Sequence, residues 1–188
     1  MVCLPAAQAM AAVSYDVSAG AADEILFPGD KLINAALPVM MDGAEVALDT
    51  PGTWTNTDEA QVFRAGMTED GTAITLSPAG YVLVTENGRS GKKDDTSNHY
   101  VFQEGEIAEG ESKDIAFYPA GDTVKIKADD PAEGMAFAGW TAEPGDVVFE
   151  DASSPETTIT MPEKKVTVKA TYQEAQPETP AVYNVTVA

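Results

Sequence analysis

Two segments, DTVKIKAD (Asp122 to Asp129) and KVTVKATY (Lys165 to Tyr172), most constrain what this chain can fold into. In the first, Val124, Ile126 and Ala128 alternate with Lys125 and Lys127; in the second, Val166, Val168, Ala170 and Tyr172 alternate with Thr167, Lys169 and Thr171. A period of two sends successive side chains to opposite faces of an extended backbone, so each segment predicts a strand with one buried and one wet face. Between them TTITM (Thr157 to Met161) supplies β-branched residues, and PGD, PAGD, EPGD and SSPE supply turns. No window of useful length keeps a 3.6-residue apolar stripe free of glycine or proline. The best helical stretch, INAALPVMMDGAEVAL (33–48), is interrupted by Pro38 and Gly43 and predicts at most a short turn. The expected fold class is mainly β.

The chain also shows self-similarity, which bears on domain count. GTWT at 52–55 answers AGWT at 138–141, so Trp54 and Trp140 stand 86 positions apart. TAITLSPAGYVLV (72–84) answers TTITMPEKKVTV (157–168), with Ile74 and Ile159 85 apart. Tyr15, Tyr100 and Tyr183 fall in a similar register, at intervals of 85 and 83. The 188 residues therefore read as two small β-rich modules in tandem, a divergent one over 13–98 and a clearer one over 99–173. Residues 174–188 read as the end of a Pro/Glu linker and the first strand of a further repeat, cut short. The linker QEAQPETPA (173–181) has no apolar face to bury and is expected to be extended and semi-stiff. Residues 1–12, with the alanine-rich AQAMAA, resemble the end of a secretory signal peptide without its basic n-region.

Composition excludes several function classes. Eleven basic against 31 acidic residues give a formal net charge of −20, which repels phosphate backbones and anionic membrane surfaces; nucleic acid is excluded as a partner. No segment approaches the roughly 18 apolar residues of a membrane-spanning helix. A single cysteine, Cys3, makes no internal disulfide, so burial and strand pairing must hold the fold.

From Tyr118 to Gln173 the pattern YPAGDTVKIKA, GMAFAGWT and TTITMPEKKVTVKATY resembles the divergent internalin-type B-repeat. The glycine-aspartate turn, the GW pair and the TMP before a final alternating strand carry the likeness. The 13–98 segment reads as a degenerate copy, with SPAG where MPEK stands and a longer stretch before its tryptophan. The resemblance implies small β-grasp-like modules, non-catalytic, in an extracellular protein attached to the wall or surface of a Gram-positive-type bacterium. Surface proteins of such bacteria commonly lack cysteine, which fits Cys3 standing alone. The implied role is a stalk, spacer or adhesion module, with a host or cell-surface protein or glycan as the class of partner.

Candidate sites are few. Trp54 and Trp140 are the candidate ligand contacts; Trp140 lies beside Gly139, and a tryptophan flanked by glycine can serve as a flat platform for a sugar. Their recurrence about 20 residues before ITL or ITM instead fits a core plug needed once per unit. The expected core is Val124, Ile126, Phe137, Trp140, Val148, Ile159, Met161, Val166, Val168 and Tyr172. His99, the only histidine, has no thiolate partner and reads as a loop residue. DDTSN (94–98) lacks the glycine and closing glutamate of a calcium loop, and ENGRSGKK (86–93) lacks the spacing of a phosphate-binding loop. An internal isopeptide bond would need a buried lysine, and Lys125, Lys127 and Lys169 fall on outward phases. No catalytic residue, metal site or cofactor is expected. The leading reading is a non-enzymatic, monomeric extracellular repeat segment. The alternative is a glycan- or protein-binding module using exposed aromatics, or an accessory segment of a secreted glycan-active enzyme.

Overall fold

The computed structural model describes residues 12–50, 52–92 and 113–176. Among them the chain forms fourteen strands and no helix: β1 (Ser14–Asp16), β2 (Glu24–Leu26), β3 (Lys31–Ile33), β4 (Val39–Met41), β5 (Ala44–Glu45), β6 (Trp54–Thr55), β7 (Gln61–Met67), β8 (Ile74–Glu86), β9 (Gly88–Lys92), β10 (Lys113–Tyr118), β11 (Thr123–Ala128), β12 (Met135–Glu143), β13 (Glu156–Thr160) and β14 (Val166–Glu174). The fold is mainly β, as the alternating segments predict. The interrupted stretch over 33–48 holds β4 and β5, an antiparallel pair turned by Asp42 and Gly43. Both turn residues have positive φ, the conformation that suits a two-residue hairpin.

Three sheets result. A small one has the order β1-β3-β6, a second has β13-β11-β9, and the largest carries eight strands along the path β12-β14-β8-β4-β5, with β7 and β10 also on β8 and β2 on β7. The 13-residue β8 organises the molecule. Its first part pairs with β7 antiparallel and with β4 parallel over Ile74 to Leu76. Its last part pairs with β10 antiparallel and with β14 parallel. Tyr81 sits at the join, paired with Gln61 of β7 and Tyr118 of β10. Here Gly80 has a steric reason: a Cβ on it would lie 2.6 Å from the backbone carbonyl of Tyr118. Any side chain would push β10 off the strand it pairs with.

Within the described residues, the pairing partners of β8 change near Gly80, from β7 and β4 on its first part to β10 and β14 on its last. β9 precedes residue 98 and yet pairs with β11 of the second half. Asn87 turns the chain from one sheet to the other with φ 57°. Its side-chain amide donates to the carbonyl of Ala170 (3.1 Å), and its own carbonyl accepts from the N–H of Asp129 (2.9 Å).

The sequence correspondence between the halves does not carry over to their topology. Trp54 lies on two-residue β6 opposite Leu32, whereas Trp140 lies on nine-residue β12 opposite Ala170. Ile74 runs parallel to Val39, whereas Ile159 is antiparallel to Val124. A whole strand, β7, separates Trp54 from β8; the corresponding stretch between β12 and β13 has no named strand.

Three apolar clusters fill the layers. The first lies between β13-β11-β9 and the β12-β14-β8 portion of the large sheet, around Leu83, Val124, Ile126, Trp140, Val166 and Val168. The second belongs to the first half, around Val17, Leu26, Leu32, Val39, Phe63 and Ile74. The third joins Phe27 and Val62 to Val82, Val84 and Ile115 on the opposite face of β8 from Leu83. Successive residues Val82, Leu83 and Val84 are thus all buried, and a strand covered on both faces reads as a continuous apolar run.

Candidate functional site

The GW segment shows what a tryptophan does at this place. Trp140 is 5% exposed and sits in the first cluster. Its indole Nε1–H donates to the carbonyl of Ser154 (3.0 Å), and its backbone N–H donates to that of Ala152 (2.8 Å). The turn-rich loop between β12 and β13 is fastened over the ring, which satisfies the one polar atom of a buried indole. A β-bulge between Phe137 and Gly139 resets the alternation of β12, and Phe137 and Trp140 pack edge to face with centroids 6.0 Å apart. Tyr172 continues the stack at 6.2 Å from Phe137. Its hydroxyl donates to the carbonyl of Asp129 (2.8 Å). Burial, and then the nearby Asp129 and Asp130 carboxylates, push its hydroxyl pKa up. From below, Gly88 makes room for the indole: a Cβ there would lie 2.5 Å from the Lys127 carbonyl oxygen and 2.9 Å from Trp140 Cη2.

Trp54 sits elsewhere. It is half-buried against the second cluster, edge to face with Phe63 at 5.7 Å. The two indoles therefore belong to separate cores and form no shared surface. Every described aromatic side chain is buried or half-buried.

The other expected core positions fall as follows. Val124, Ile126, Ile159, Met161, Val166 and Val168 are buried, and Phe137 and Tyr172 pack on the same cluster half-buried. Val148 is a correction: it is 78% exposed. The neighbours Val147 and Phe149 pack on the core instead, and Phe149 bridges to Ile159. In an extended segment the residue between two inward side chains must face out. Lys125 and Lys169 stand in ion pairs with Glu156 and Glu86, each partly open to solvent. His99, Cys3, DDTSN, Tyr100 and Tyr183 lie outside the described residues.

A buried polar cluster between β9 and β10 is not legible in the sequence. Ser90 on β9 donates its backbone N–H (2.7 Å) and its hydroxyl (3.0 Å) to Asp114 Oδ2 on β10, and the Tyr118 hydroxyl donates to Ser90 Oγ (3.1 Å). All three residues are buried. Burial, then the Asp114 charge, raises the Tyr118 hydroxyl pKa against the opposing Ser90 hydrogen bond. A serine between a carboxylate and a hydroxyl invites comparison with an activated nucleophile, but a group this enclosed meets no substrate, and its effect is to tie β9 to β10. Ser90 lies inside GRSGK, whose composition gives no strand signal. Among the described residues no three His, Cys, Asp or Glu side chains gather as a metal site.

Residues 103–176 match the family model for the divergent InlB B-repeat domain, and over this segment the chain is similar to that family. Such repeats are typically extracellular or surface-associated. The match begins after β8 and β9, which nonetheless complete its sheets. No curated protein and no solved structure matches the chain.

Proposed function

We propose that the chain is a non-enzymatic spacer segment of an extracellular bacterial surface protein, holding a functional region away from a Gram-positive-type cell wall. The observation that carries this reading is the B-repeat over 103–176, whose signature tryptophan is an internal peg. The inward turn of the described aromatics supports the spacer over the alternative of an aromatic binding face. The net charge of −20 favours a monomer that resists self-association.

The test is display. With the chain inserted between a wall anchor and a reporter epitope, antibody access to the epitope is expected to rise over that of an anchor–epitope fusion lacking it. Beads coated with the chain alone are expected not to adhere to host cells or glycan surfaces. Adherence that Trp54→Ala abolishes, with the fold intact, would instead establish the binding-module reading.

A further inference from the structure

We propose that β8 and β14 form a mechanical clamp, placed so that tension between the two ends of the chain loads them in shear. The spacer reading supplies the biological setting, but the geometry stands independently of it. The first part of β8 is gripped by the N-terminal half, between β7 and β4. Phe27 and Val62 of that half share a cluster with Val82, Val84 and Ile115, so β8 cannot be drawn forward without breaking a core. β14 lies parallel to the distal part of β8, from Val166 opposite Leu83 to Lys169 opposite Glu86. It then runs on past the end of β8, away from the N-terminal half, as far as Glu174.

Tension at the C-terminal end therefore pulls β14 along its own direction, while the N-terminal half pulls β8 the opposite way. The ladder bonds cross between the strands and share the load together. The other edge of β14 is bound along Thr167 to Glu174 by β12, and the Ala175 N–H donates to the Gly134 carbonyl (2.8 Å) beyond the last pair. The Lys169–Glu86 ion pair closes the far end of the β8 contact at 3.3 Å. A pull applied at the start of β14 would act differently, lifting Val166 first and breaking the bonds one after another. Forced unfolding reads the barrier to rupture, so the two geometries separate even at equal thermodynamic stability.

The experiment is single-molecule stretching of the full chain by tags at its two ends. It is compared with a Cys3→Ser, Lys165→Cys variant held by its N-terminal tag and by a handle on the new thiol. Lys165 is exposed and precedes β14, so the variant is expected to keep the parent's urea midpoint. End-to-end rupture is expected at about twice the force of the 165 geometry or more, in one event, because its bonds fail together. Equal forces in the two geometries, or end-to-end traces in which the segment after β8 gives way first at low force, would overturn the clamp. Neither outcome touches the spacer reading, which the display and bead assays decide.

Discussion

Trp140 is where a single residue bears most on stability. Replacing it with alanine removes a buried indole and releases the loop held at Ser154, and Trp140→Ala is expected to cost about 3–5 kcal/mol in urea unfolding. A variant as stable as the parent would show that the ring is not a peg. Gly88→Ala attacks the same spot from the opposite side: its methyl meets the Lys127 carbonyl and the indole edge, and overpacking of this kind costs about 1–3 kcal/mol. Gly121→Ala is the control. It has open space around the new methyl, so its cost reflects only the φ of 85° and is expected to be the smaller of the two. The inward place of Trp140 was legible because a tryptophan recurs in the sequence at an interval of 86 residues, and the strands on either side of the core alternate cleanly. Val148 was not legible: in DVVFE two adjacent valines fit either phase, and the choice falls to Phe149, whose bridge to Ile159 turns Val147 inward.

At the scale of elements, strands with clean alternation, β11 and β14, stood out in the sequence, while the two- and three-residue strands of the first half did not. The turns of the first half are rich in acids. Between β7 and β8, Asp70 Oδ1 accepts from the Thr68 hydroxyl (2.7 Å), the Thr72 hydroxyl (2.8 Å) and the Thr72 N–H (3.1 Å). These bonds, led by the one from Thr68, hold the Asp70 carboxyl below the usual carboxylate range. A depressed folded-state value gives stability that is present above the unfolded value of about 4 and is lost as pH falls through the folded one. Asp70→Ala is accordingly expected to be less stable than the parent at neutral pH, with the gap narrowing from about pH 5 down to about pH 3. A gap of the same size at both ends of that range would rule out the carboxylate as its source. Asp30 has the opposite sign. It is buried at the entry to β3, accepting from the N–H groups of Val13 (2.7 Å) and Phe27 (2.9 Å), and burial raises its pKa despite those bonds. Its ionisation therefore weakens the fold as pH rises from the ordinary carboxylate range through the raised value, and Asp30→Asn removes that part of the pH profile.

The whole molecule shows why a repeat seen in sequence need not be a repeat in pairing. The offset of 85–86 residues aligns Trp54 with Trp140 and Ile74 with Ile159, yet β8 serves both halves at once, and a strand shared in this way cannot be the equivalent of β13, which serves only one. Sharing was hidden because proline and glycine ordinarily weaken a strand, whereas Pro78 and Gly80 in the middle of β8 sit where it passes from one core to the next, opposite a register shift in β7. Independent modules would unfold separately, but here Phe27 and Val62 lose their cluster if the second half melts, and Val82, Val84 and Ile115 lose theirs if the first half does. Each half's departure exposes apolar surface on the other, so partial unfolding is penalised and a single all-or-none transition is expected. The two tryptophans report on it from different cores. In Trp54→Phe the remaining indole reads the first cluster, and in Trp140→Phe the remaining indole reads the second. Within each variant, the urea midpoint followed by tryptophan fluorescence is expected to coincide with the midpoint followed by far-ultraviolet circular dichroism. A fluorescence transition that precedes the loss of strand signal in either variant would show that the halves melt apart, and that β8 links them without coupling them.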